Sequence, residues 1–192
     1  MADPAFAADL THRGYVLQGF ENVSGRAITS RDAGEDRSDV IKVALSRDDD
    51  FAQWLDVMIT GFQHPDLQGV QAEPMPGRET LERALEDIFG VPGLRRYAAR
   101  IDGQLAGVAT LRLDEERLAQ LCGAATLPAF RRCGVQTALL CRRLADAFDE
   151  RCELALMTTQ PGSKSEENGR RQGFQLLYSR ALLVKNPVLC SG

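Results

Sequence analysis

Residues 124–140 read Ala124-Ala125-Thr126-Leu127-Pro128-Ala129-Phe130-Arg131-Arg132-Cys133-Gly134-Val135-Gln136-Thr137-Ala138-Leu139-Leu140. A short apolar strand stops at Pro128, arginines and a glycine form a turn, and a helical period begins. The first turn of a helix carries backbone N–H groups without intrahelical partners and a partial positive charge from its aligned peptide dipoles. A phosphate satisfies both. Gly134 lacks a Cβ, so the chain there adopts a turn closed to other residues and can approach a bulky anion. Arg131 and Arg132 add charge at the same end, and the segment reads as an anion cradle. Its plainer reading is a strand-turn-helix with exposed arginines.

The surroundings of the cradle alternate between strand and helix signals. Residues 98–111 form two apolar runs joined by Asp102-Gly103, a strong hairpin signal. A third strand is predicted from Leu118 to Thr126. After the turn, Val135, Leu139, Leu140, Leu144, Ala147 and Phe148 recur at three- and four-residue steps, which marks an amphipathic helix. Residues 153–159 are a further strand, broken by Pro161-Gly162. Ser163 or Ser165 then caps a short helix through Gln172, Gly173-Phe174 opens another strand, and a last one is expected from Ala181 to Lys185.

This order resembles the core of the GNAT acyltransferase superfamily. The stretch Arg131-Arg132-Cys133-Gly134-Val135-Gln136 is similar to its signature Gln/Arg-x-x-Gly-x-Gly/Ala, with Gln136 departing at the last position, and Gly173-Phe174 is a second mark. The resemblance covers about Tyr97 to Lys185 and implies an α/β (α+β) GNAT fold, a mixed sheet of about six to seven strands with flanking helices. It implies that the strand before the loop and the strand after the long helix splay apart around the pantetheine arm of acetyl-CoA. Thr126 and Leu127 would then face the arm, and Arg131, Arg132, Cys133, Gly134, Val135, Gln136 and Thr137 the pyrophosphate. Ser165 and Asn168 would bind the arm or orient water. For Cys133, a small residue in a tight turn is the simpler account.

In many relatives a tyrosine four residues before the Gly-Phe pair protonates the departing thiolate; here that position is Gly169. Tyr178 is the substitute acid by proximity in sequence, unless it is only a strand aromatic. For the base, Glu116, beside Asp114 and Glu115, stands in the turn before the third strand, where a solvated turn is the simpler account. The resemblance thus implies an N-acyltransferase moving the acetyl group of acetyl-CoA to an amine of a small molecule or peptide. The alternative is an inactive acyl-CoA-binding sensor or interaction module of the same fold.

Ahead of this segment, residues 50–62 predict a helix with Phe51, Trp54, Leu55, Met58 and Ile59 on one side and Asp49 or Asp50 as cap. Residues 80–89 predict a second, ended by Gly90. Val40 to Leu45 would be the first strand of the acyltransferase domain, set at residues 39–192. The connection from His64 to Gly77, with Pro65, Pro74 and Pro76, either borders the acceptor pocket or simply links two helices. Residues 1–38 form an N-terminal extension in which Arg13 to Phe20 faintly echoes Gln172 to Tyr178. Val23 to Thr29 is its expected hairpin partner. The echo is a remnant of duplication or chance, and its strands extend the sheet or pair with another subunit as a homodimer.

Composition removes other classes. A chain of 192 residues, 44% hydrophobic and 26% charged, suits one buried α/β domain. The formal net charge of −4 argues against general affinity for nucleic acid or an anionic membrane. No apolar run approaches a bilayer span, and no basic-then-apolar leader is present, so a cytoplasmic protein is expected. The five cysteines lack a Cys-x-x-Cys pair, and the two histidines, His12 and His64, are far apart, which speaks against a metal site.

Overall fold

The computed structural model describes residues 4–34, 40–66 and 76–185. Pro74 and Cys190 lie outside them. The elements run α1 (Pro4–His12), β1 (Val16–Ala27), β2 (Ile41–Leu45), α2 (Phe51–Gln63), α3 (Arg78–Phe89), β3 (Arg95–Ile101), β4 (Gln104–Leu113), β5 (Leu118–Leu121), β6 (Ala124–Thr126), α4 (Val135–Asp149), β7 (Leu154–Thr159), α5 (Lys164–Arg171) and β8 (Gln175–Val184). One mixed sheet holds all the strands in the order β2-β3-β4-β5-β7-β1-β8, with β6 also on β4. This is the mixed sheet with flanking helices that the GNAT fold requires.

Each face of the sheet has its own core, because alternate strand side chains point to opposite faces. Tyr97 and Ala99 of β3 join Leu139, Leu140 and Leu144 of α4, whereas Ala98 between them joins Trp54, Met58 and Ile59 of α2 and Leu81, Leu85 and Phe89 of α3. The apolar residues recur at helical spacing on each helix, which is why these segments form and where they dock. Asp50 occupies the N-cap position of α2 without a side-chain capping bond. Buried Trp54 donates Nε1–H to the Tyr97 carbonyl at 2.9 Å, tying α2 to the sheet. On the opposite face, the Tyr97 hydroxyl donates to Asp146 Oδ2 at 2.7 Å.

Three expectations are revised. The predicted N-terminal hairpin is a single twelve-residue strand, β1, after α1. That strand lies inside the sheet between β7 and β8, antiparallel to both, so the extension is part of the central sheet. Its end is pinned by Arg26, which grips both oxygens of Asp32 at 2.6 Å and donates to the Gln172 carbonyl at 2.8 Å. The strand predicted from Leu118 to Thr126 is broken at Cys122-Gly123 into β5 and β6, and the two strands predicted after Gly173-Phe174 are one, β8.

Gly61 explains how closely α2 sits on β6. A Cβ built there would stand 2.5 Å from the Ala125 Cβ. We expect Gly61→Ala to destabilise the fold by about 1–3 kcal/mol in denaturant unfolding, despite alanine's better helix propensity. Adding Ala125→Gly should recover part of that loss through a positive coupling in a double-mutant cycle. Additive effects would mean that α2 and β6 are not in tight contact.

Candidate acyl-donor site

The site is built where β6 leaves β7. β5 pairs with β7 in parallel from Leu118/Leu154 to Leu121/Met157, and the pairing stops there. On β4, Ala109 faces Ala124 while Arg112 faces Gln120, so three steps on β4 oppose four on its partner. The extra residue is a β-bulge at Cys122-Gly123, which bends the strand. Thr110 holds it: its N–H reaches the carbonyls of Cys122 (3.3 Å) and Gly123 (3.1 Å), and its hydroxyl donates to Cys122 O at 2.7 Å. Gly123 has φ +34°, and a Cβ there would press into the Phe89 ring at 2.6 Å.

Behind Thr110 lies Arg143, a buried arginine of α4 that donates to the Thr110 carbonyl at 3.1 Å and to the Leu139 carbonyl at 3.0 Å. Burial pushes its pKa down to about 10, which still leaves it charged at neutral pH. Burial raises the Cys122 thiol above its ordinary value, so at the bulge it stays a neutral thiol.

Beyond the bulge, two strand edges face each other with no strand between them among the described residues. Leu127 donates its N–H to the Ala106 carbonyl at 3.0 Å, and Thr110 N–H meets Gly123 O in the same register. Antiparallel alternation therefore turns the main-chain groups of Ala124 and Thr126 outward, toward β7. Leu127 differs from its expected role, because its N–H and its carbonyl, which accepts from Phe130 N–H at 2.9 Å, are both engaged. On the opposite wall, Thr159 ends β7 with a buried Oγ1 that has no hydrogen-bond partner among the described residues.

The cradle closes one end of this cleft. Arg132 and Gly134 both have left-handed φ, +62° and +86°, and Gly134 is the N-cap of α4 with no side-chain cap. The first bond into the helix is Ala138 N–H to Gly134 O at 3.0 Å, so the N–H groups of Val135, Gln136 and Thr137 stand at the open end. A Cβ at Gly134 would meet only Ile41 Cδ1, at 3.6 Å; the left-handed φ, not space, is what favours glycine there. Gln136, the departure from the family signature, donates Nε2–H to Thr126 Oγ1 at 2.9 Å and fastens α4 to β6. Gly107 permits that approach, since a Cβ on it would stand 2.6 Å from Val135 Cγ1 and 2.8 Å from Ala125 O.

The two arginines divide. Arg131 is bonded to the His64 carbonyl at the end of α2, while Arg132 is exposed and has no ion pair among the described residues. Cys133 is exposed in the turn. α5 follows β7 as α4 follows β6, so both helices begin at the same end of the cleft. Ser163 caps α5 by accepting from Glu166 N–H at 3.3 Å. Glu166 in turn accepts from Asn22 Nδ2 at 2.5 Å and from Gly162 N–H at 2.6 Å, and Asn22 accepts from Ser179 at 2.5 Å. Ser165 is exposed and Asn168 half-buried on this helix. Among the described residues no group of His, Cys, Asp or Glu is placed to hold a metal, and no helix is long and apolar enough to cross a membrane.

The proton-transfer candidates are not brought to the cleft. Glu116 is exposed beyond the far end of β5, roughly 30 Å along the strand from Thr126. Tyr178 lies on β8, with β1 between it and β7, about 10 Å from β7 by strand spacing. Gly169 is buried, and the space a side chain would take there is filled by the Met157 thioether. Sequence reasoning missed Thr110 and Arg143, because a threonine in an apolar strand and an arginine in a helix carry no signal of their own.

The family model described as acetyltransferase (GNAT) family matches residues 62–174. The chain belongs to the GNAT acetyltransferase family. No curated protein matches the sequence. Among solved structures, a functionally unknown conserved protein from Staphylococcus epidermidis is similar with a TM-score of 0.69 at 11% identity, over 96% of this chain and 68% of that one. A GCN5-related N-acetyltransferase from Kribbella flavida gives 0.63 at 15% identity, over 95% of this chain and 64% of its own. AAC(6')-Iy in complex with the bisubstrate analogue CoA-S-monomethyl-acetylneamine gives 0.56 at 18%, over 76% and 97%. This GNAT chain therefore spans about two thirds of the first two proteins.

Thr110→Val should remove the hydroxyl bond to the bulge and cost about 1–2 kcal/mol of stability in denaturant titration. A change within error would mean that the bulge holds without it.

Proposed function

We propose that this chain transfers the acetyl group of acetyl-CoA directly to an amine of a small molecule or peptide. The observation that carries the reading is the pairing of an uncapped helix N-terminus, set by two left-handed residues, with the unpaired edges of β6 and β7. Family membership supports acyl transfer in general, and the CoA-containing analogue held by AAC(6')-Iy supports a CoA-type donor.

The residues fit such a donor. The amides of Cys133, Gly134, Val135, Gln136 and Thr137, with Arg132, would hold the pyrophosphate. Arg131 would act through the loop, because its guanidinium already fixes the turn to α2. The outward main-chain groups of Thr126 would pair with the amides of the arm from one side, and the orphaned Thr159 hydroxyl, Ser165 and Asn168 would meet it from the other. Acetyl-CoA supplies a thioester carbonyl, which the neutral amine attacks while the C–S bond breaks and the CoA thiolate leaves. The amine proton passes to solvent and the thiolate takes one from it, since no tyrosine stands at residue 169. The same vacancy favours a second reading, an acyl-CoA-binding module without turnover.

Acetyl-CoA and free CoA should both raise the melting temperature, and thiol release should follow with at least one member of a panel of amines and peptide N-termini. Stabilisation with no thiol release would establish the binding module instead. Gly134→Glu should keep its circular dichroism spectrum and lose the stabilisation, and Arg132→Ala should weaken binding about tenfold, some 1.4 kcal/mol. A folded Gly134→Glu variant with the normal shift would remove the cradle assignment.

A further inference from the structure

Among the described residues β8 is the outer strand of the sheet, ten residues long, and its only strand partner is β1. Long apolar edges are normally blunted by proline, lysine or a cover. Here the strand carries neither residue, and Leu176 (57% exposed), Leu177 (53%), Tyr178 (55%), Leu182 and Val184 all present apolar surface. The ribbon of β1 and β8 also overhangs the sheet, since Val16 to Glu21 pair only with β8 beyond the last β7 partner, Thr159 opposite Asn22. A two-stranded ribbon is marginal by itself in water.

We propose that a second copy of this chain pairs antiparallel along β8, joining the two sheets into one. The strand is self-complementary about Arg180. A two-fold axis there sets Leu176 opposite Val184, Leu177 opposite Leu183, Tyr178 opposite Leu182 and Ser179 opposite Ala181, apolar against apolar at both ends. Only the centre is charged, and each Arg180 is already bound to Glu21 of β1 at 2.7 Å. The four central charges sum to zero, so the axis carries no net repulsion. Pairing satisfies the free main-chain edge of β8 in both copies and sets their exposed apolar side chains beside one another on each face of the joined sheet. A strand of unrelated sequence would match the exposed backbone but not this symmetric order of side chains.

Sedimentation velocity of the full chain across a micromolar concentration series tests the pairing. The wild type should sediment as a dimer, and Leu182→Lys should raise the dissociation constant about a hundredfold with an unchanged far-UV spectrum. Arg180→Glu places four carboxylates at the axis and should give monomers, while Glu21→Arg combined with Arg180→Glu restores a neutral centre and should restore the dimer. A wild type that stays monomeric overturns the proposal, as does a dimer unaffected by Leu182→Lys. A charge-swapped variant that remains monomeric overturns the two-fold register about Arg180.

Discussion

The bulge at Cys122-Gly123 is the constraint on which the site depends. A continuous strand from Leu118 to Thr126 would keep pairing with β7 and fill the sheet. One inserted residue ends that pairing at Leu121/Met157 and leaves two strand edges open to each other. The extra residue persists because its carbonyls are taken up by Thr110, whose own carbonyl is bonded to the buried Arg143. Burying a guanidinium without a carboxylate is costly. Here its hydrogen bonds go to main-chain carbonyls on both sides of the α4–β4 contact, so a charged group serves as a brace.

The second wall of the cleft rests on a strand from the opposite end of the chain. β1 pairs with β7 along Asn22 to Ala27, and Asn22 reaches Glu166, which bonds the loop entering α5. Arg26 ties the same strand to Asp32 and to the turn before Gly173-Phe174. The placement of α5 thus depends on residues more than 140 positions earlier in sequence. Whatever disturbs the N-terminal strand will be felt at the cleft, although no residue of that strand belongs to the cradle.

Much of the fold was legible because its signals are local. The Asp-Gly hairpin, the apolar period of α4, the Ser163 cap and the cradle turn each follow from residues within one turn or one strand. Thr126 turns its main-chain groups outward while those of Leu127 are engaged, a difference of one step of strand alternation that only the register with β4 decides. The break at Gly123 was not legible, since a Cys-Gly pair in an apolar run reads equally as strand. Nor was the course of β1. Its faint likeness to Gln172–Tyr178 concerns two segments that lie side by side in the sheet, β1 and β8, but likeness alone does not give pairing.

Gly169 stands where the family resemblance leads one to expect a tyrosine, and the packing around it leaves no room for a side chain. The thioether of Met157 occupies the volume above this glycine, so the position is filled rather than hollow. Nothing in that packing touches the helix N-terminus at Gly134 or the open edge of β6, which lie on separate elements. The turn at Gly134 on α4 and the packing at Gly169 on α5 are therefore independent features of the fold, so the proposed cradle keeps its geometry whatever stands at residue 169. On the proposed reading, the chemistry left to this cleft would be set by how well it holds a thioester beside an incoming amine, because positioning alone removes much of the entropic barrier to a bimolecular reaction.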